Sequence, residues 1–158
     1  DTIPQGADFF EINTMTKKIL TDISIFLKRN NGISLFIDYG YLKGYGDTLQ
    51  AVKNHKFVDP LSFPGVSDLT AHVNFSHIIK EVNSLGMNFF GTTTQRDFLI
   101  KLGARERLEI LKKSTNSEKT KIDLEEGLCR LIENSQMGEL FKVCAMSPKN
   151  KLIPEGFD

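Results

Sequence analysis

Neither sign of charge predominates in this 158-residue sequence: 20 Lys and Arg balance 20 Asp and Glu. A chain without net charge has no global basic field to hold nucleic acid or an anionic membrane, which excludes binding by bulk electrostatics. No apolar run approaches the ~20 residues that a membrane-spanning helix needs. Cysteine is scarce. Cys129 and Cys144 are the only two, fifteen residues apart, with neither a CxxC spacing nor a histidine-rich neighbourhood, and so no zinc-type metal site is expected. They read as plain core or near-core thiols, in keeping with a reducing compartment. Internal repeats and low-complexity tracts are missing. The amino terminus, DTIPQGADFFEINTMTKK, has neither the basic-then-apolar order of a signal peptide nor an initiating Met, and it reads as an internal start.

What is present is the composition of a folded protein. Apolar residues make up 40% and charged residues 25%, which rules out disorder over most of the length. The length suits one domain with a single core, though not necessarily a whole one. Asn13 or Thr14 can cap a helix running to about Asn30, with Met15, Ile19, Ile23, Phe26 and Leu27 near helical spacing. The triplet NNG at 30–32 stops it. ISLFID at 33–38 is a short apolar run, the pattern of a strand covered on both faces, so helix followed by buried strand indicates an α/β layer protein.

From Tyr39 to Ala71 no clean period emerges, and the segment reads as a long structured loop, which inside a compact domain is usually functional. Asn74 is an N-cap for a helix from Phe75 to about Leu85. MNFFGTT at 87–93 reads as a strand, and Thr94 with Asp97 opens a short helix that Gly103 closes. ARERLEILKK continues as a charged amphipathic helix, STNSEKT at 114–120 as a polar joint, Asp123 to Asn134 as a helix, and ELFKVCAM at 139–146 as the last strand.

Ligands in open α/β sheets bind beyond the carboxyl ends of strands, which draws attention to Asp38, Tyr39 and Gly40. The bland alternative is that Asp38 caps a turn and Tyr39 packs. GYGDT at 44–48 is neither a GxGxxG nor a phosphate loop, and reads as a tight turn presenting Asp47 and Thr48. His55 with Asp59 could pair as acid and base, but a surface His beside an Asp is common. In SDLTAHVNF, Asp68, Thr70 and His72 alternate, so an extended segment would turn all three to one side, as a pocket wall or as a hydrogen-bonded loop anchor. Gln95 and Arg96 are possible pocket groups beside a helix start.

Taken in order, LFIDYGY, GDTLQAVKNHKFVDPL, PGVSDLTAHVNF, TQRDFL, LGAR at 102–105 and MGELFKVCAM resemble the MidA-like methyltransferases, over roughly residues 9 to 147. That family includes a mitochondrial complex I assembly factor that methylates an arginine, and bacterial relatives. Two positions depart from its pattern: Asn74 stands where Asp is usual, and Arg96 where Gly is usual. The family's Gly-Pro-Gly-Arg-Gly cofactor turn lies upstream of anything present here.

The resemblance implies the carboxy-terminal part of one methyltransferase domain over residues 1–158, contributing the last three strands of a seven-stranded Rossmann-like sheet together with an inserted loop and helices. The final strand would be antiparallel and inserted, giving the spatial order ISLFID, ELFKVCAM, MNFFGTT. It implies S-adenosylmethionine as the cofactor of the full-length protein, with none expected for this chain alone, and a protein substrate, with a complex I subunit as one candidate. The setting would be the bacterial cytoplasm or the mitochondrial matrix. Asp38, Asp68 and His72 would be catalytic, with Tyr39, Tyr41, Asp47, Thr48, Gln50 and Thr70 binding substrate. The rival is a non-catalytic interaction or assembly module using the same loops. In either case one edge of ISLFID would meet a strand that this chain lacks, or else would drive self-association.

Overall fold

A computed structural model describes residue 6 and residues 9–44, 46–149 and 151–158. It opens with α1, Thr16–Asn30, whose Leu20, Ser24 and Leu27 are buried at helical spacing. Asn13 Oδ1 accepts the Met15 and Thr16 N–H groups at the entry, and Asn31 ends the helix in the left-handed region. β1, Ser34–Tyr41, follows and runs three residues past the expected end, so that Tyr39, Gly40 and Tyr41 lie on the strand itself rather than beyond it.

The stretch expected to be a structured loop contains short strands: β2 Gln50–Lys53, β3 Lys56–Val58, β4 Asp68–Thr70 and β5 Val73–Asn74. The sequence pattern hides them because strands of two to four residues are too short to show a period. Asn54 and His55, both at positive φ, form the tight turn between β2 and β3. β2 pairs antiparallel with β3 and β4, and the three make a small separate sheet.

α2, Phe75–Ser84, is capped by Asn74, whose Oδ1 accepts the His77 N–H, and it buries Phe75, Ile78 and Val82. β6, Asn88–Thr94, leads directly into α3, Gln95–Lys101, where Thr94 Oγ1 accepts the Asp97 N–H. α4, Ala104–Lys113, buries nothing and lies against α5, Glu118–Ile132, to which Lys112 is ion-paired through Glu125. The expected joint at 114–120 is shorter than anticipated: Ser117 Oγ accepts the Thr120 N–H, so α5 starts at Glu118 rather than near Asp123. One turn, α6 Met137–Leu140, precedes β7, Phe141–Ser147.

The main sheet has the order β5-β1-β7-β6, and β7 is antiparallel to both of its long neighbours. This is the expected spatial order of the three long strands. Cys144 and Met146 on one face of β7 pack with Leu20 and Leu27 of α1, Phe75, Ile78 and Val82 of α2, and Met87. Val143, Ala145 and Ser147 alternate to the opposite face, also fully buried, where α3 and α6 lie. β1 differs. Phe36 joins the core, but Leu35 and Ile37 are 48% and 46% exposed, so the strand is covered on one face and not on both as its apolar run implied.

The two cysteines also part company. Cys144 is buried, which pushes its thiol up to about 12, whereas Cys129 on α5 is exposed and not a core thiol. Among the described residues no helix is long and apolar enough to cross a membrane, and no cluster of His, Cys, Asp and Glu could hold a metal ion.

Candidate functional site

β5 reaches the end of β1 because position 40 has no side chain. A Cβ on Gly40 would lie 2.1 Å from the Val73 carbonyl oxygen, so only glycine lets the two backbones pair here. That approach carries His72 and Asn74 up to Tyr39 and Tyr41. The Tyr39 ring stands edge-on to His72 at 5.4 Å and to Phe141 at 5.5 Å. The Tyr41 phenol is pushed above its ordinary value, chiefly by burial and then by the negative charge of Glu11, with a hydrogen bond to Asn74 acting the other way.

Glu11, on the segment before α1, links these parts. Its Oε1 accepts the Thr48 N–H at 2.9 Å and its Oε2 accepts the Thr48 hydroxyl at 2.7 Å. The same hydroxyl oxygen accepts the His72 backbone N–H at 2.9 Å. Around this network opens a cleft of about 1010 Å³, with Phe9, Glu11, Tyr41, Asp47, His72 and His77 on its walls. The cleft combines carboxylates, imidazoles and aromatic rings, a lining able to accept hydrogen bonds from a cationic, planar group and to lie flat against it.

The expected site residues therefore divide. Tyr39, Tyr41, Thr48 and His72 are brought together, and Asp47 lines the same cleft. Asp38 lies one groove away, in a space of about 380 Å³ between α1 and the open side of β1, where its Oδ1 accepts the Tyr39 N–H. Gln50, Asp68 and Thr70 sit on the small sheet, with Gln50 opposite Thr70 and Asp68 opposite Val52. Asp68 is exposed, and His72 lies beyond the end of β4, which holds Asp68 and Thr70.

Other candidates have structural duties. His55 occupies the β2–β3 turn, and Asp59 accepts the Leu61 N–H. Gln95 and Arg96 donate to the Leu131 and Ile132 carbonyls, at 2.9 and 3.2 Å, and so tie down the end of α5. Glu11 escaped the sequence reading. Its only signal was an acid just ahead of a helix, in FFEINT, which is no motif.

An adenosyl cofactor needs a glycine-rich turn between a strand and a helix amino terminus. Gly40 is filled by Val73, and a side chain at Gly44 or Gly46 would meet nothing within 4 Å, so neither of these glycines is shaped by close approach. None of these three glycines therefore offers the close backbone approach that such a turn gives a cofactor.

A family model described as "Putative S-adenosyl-L-methionine-dependent methyltransferase" matches residues 3–93. The Caenorhabditis elegans "Protein arginine methyltransferase NDUFAF7 homolog, mitochondrial" is 36% identical over 141 residues, covering 88% of this chain and 31% of that protein. The human "Protein arginine methyltransferase NDUFAF7, mitochondrial" is 30% identical over 145 residues, covering 92% of this chain and 33% of the relative. The chain thus spans about a third of the length of these curated relatives. Among solved structures, an uncharacterized protein from Burkholderia thailandensis superposes with a TM-score of 0.85 at 28% identity, over 97% of this chain and 43% of the other. A second protein from that organism, solved bound to S-adenosyl-homocysteine, gives 0.79 at 30% identity, over 89% of this chain and 38% of the other.

Proposed function

Because this chain belongs to the S-adenosyl-L-methionine-dependent methyltransferase family, we propose that residues 1–158 are the carboxy-terminal portion of one methyltransferase domain acting on a protein arginine. The cofactor-binding half is supplied by the remainder of the parent protein, and so is the methyl group, carried by S-adenosylmethionine. This chain contributes the substrate-side mouth. Relatives named as mitochondrial arginine methyltransferases and bacterial structural neighbours accord with a mitochondrial matrix or bacterial cytoplasmic setting, and a complex I subunit is one candidate substrate.

The observation that carries the reading is the cleft at the end of β1, where Tyr41, Asp47 and His72 converge and the Tyr39 ring packs edge-on against His72. A guanidinium is planar and cationic until it attacks, and it must give up a proton as the new N–C bond forms. Acceptors and aromatic faces hold such a group in line, and alignment is what a methyl transfer gains most from. In this reading His72 takes the proton and Asp47 and the tyrosines bind, while Asp38 and Asp68, outside the cleft, would hold peptide flanking the arginine. The unpaired length of β1 is covered by a strand of the parent, or by a second copy when the chain is alone.

The test is methyl transfer by the parent enzyme from labelled S-adenosylmethionine to an arginine peptide. Asp38→Ala, Asp68→Ala and His72→Ala should each lower the rate far more than they lower the melting temperature, with His72→Ala losing about a hundredfold. Loss of activity only in proportion to loss of stability would make these residues loop anchors and favour the interaction-module alternative.

A further inference from the structure

The small sheet is an excursion with two stems. Thr48 stands just before β2 and His72 just after β4, and none of its strands packs extensively against the main sheet or the helices. Its attitude is therefore set largely at the stems, whose Asp47, Leu49, Ala71 and His72 line the cleft. There the His72 backbone N–H donates to the Thr48 hydroxyl oxygen, and Thr48 donates through both its N–H and its hydroxyl to Glu11.

We propose that Glu11 is a positioning residue that clasps both stems of the small sheet, and so sets the width of the substrate mouth. The inference rests on the methyltransferase reading above and adds a residue that the reading does not use. The bonding leaves little freedom. The Thr48 hydroxyl has one hydrogen, given to Glu11, so its lone pairs are free for His72, and each Glu11 oxygen receives one donor. Aspartate is one methylene shorter, and a glutamine amide could replace the carboxylate only if the Thr48 hydroxyl turned its hydrogen away and accepted from the amide as well as from His72. The charge of Glu11 is also felt at Tyr41, across the same cleft.

Glu11→Ala, Thr48→Val and Thr48→Ser in the parent enzyme test the clasp by residue-resolved amide exchange. Removing the carboxylate should speed exchange at the Thr48 amide by about tenfold or more, the scale of one charge-assisted hydrogen bond. Thr48→Val should do the same at the His72 amide, Thr48→Ser should leave both slow, and β7 should be unchanged in all three. Glu11→Ala should also bring the Tyr41 phenol, followed by absorbance and assigned by difference with Tyr41→Phe, part of the way back toward its ordinary pKa. In methyl transfer, Glu11→Ala should raise KM for the protein substrate by about tenfold while kcat changes by less than about threefold. Unaltered exchange at the two amides, or a fall in kcat with KM held, overturns the proposal. If the unaltered parent transfers no methyl group, the methyltransferase reading fails, and exchange and titration still decide whether the clasp exists.

Discussion

β1 and β7 are adjacent strands, each read from sequence as a core strand, yet they live in different environments. From Val143 to Ser147 every residue of β7 is fully buried, because the strand has a long partner on each edge and helices on each face. β1 has one long partner, β7. Among the described residues only Gly40 and Tyr41 are paired on its other edge, by β5, and Leu35 and Ile37 are about half exposed. Burial in a sheet is thus a property of the neighbours as much as of the strand's own side chains. On α1 the same pattern continues: Ile19 and Phe26 are at least half exposed while Leu20 and Leu27 are buried.

The largest expected effect breaks β7. Val143→Asp places a carboxylate in a fully buried, unpaired position and should cost about 4 kcal/mol or more, enough to unfold the chain in urea titrations. Leu35→Asp, on β1 opposite Ala145 and two register positions from Val143, should cost no more than about 1 kcal/mol in this chain, since half its surface already faces water. Equal costs would erase the difference between the two strands.

Gly40→Ala acts at the one place where the outer edge of β1 is paired. The added methyl cannot coexist with the Val73 carbonyl, so β5 must withdraw, at about 1–3 kcal/mol. Thermal melts should register the loss, and amide exchange at Val73 and His72 should quicken while β7 stays protected.

At neutral pH the smallest effect belongs to Cys144. Its folded thiol pKa of about 12 lies above the ordinary value of 9.0, so the folded state holds this proton more tightly than the unfolded chain does. The associated stability is fully present below pH 9.0 and is lost as pH rises toward 12. Tyr41, also raised, adds a fall in the same direction. Cys144→Ala should flatten the alkaline decline, and a thiol reagent at neutral pH should modify exposed Cys129 well before Cys144.

Much of this architecture could be read from the residues. The Asn74 and Thr94 caps, the three long strands and their covering helices follow from local chemistry and long apolar periods, and the strand order follows from the family resemblance. The small sheet could not be read this way, because strands of three or four residues carry too few alternations to stand out from a loop. The site was legible where chemistry clusters in sequence, as in LFIDYGY and GDT. Glu11 lies 37 residues from Thr48, and a hydrogen bond across that separation leaves no local mark. The open face of β1 was hidden for the opposite reason: an apolar run looks the same whether its cover lies in this chain or elsewhere.

In the proposed division of labour this chain forms the substrate mouth and the rest of the parent binds the cofactor. Calorimetric titration of S-adenosylmethionine into the 158-residue chain and, in parallel, into the parent protein tests it most directly. The account predicts saturable binding by the parent and none by the chain alone; a dissociation constant in the low micromolar range for the chain alone would contradict it.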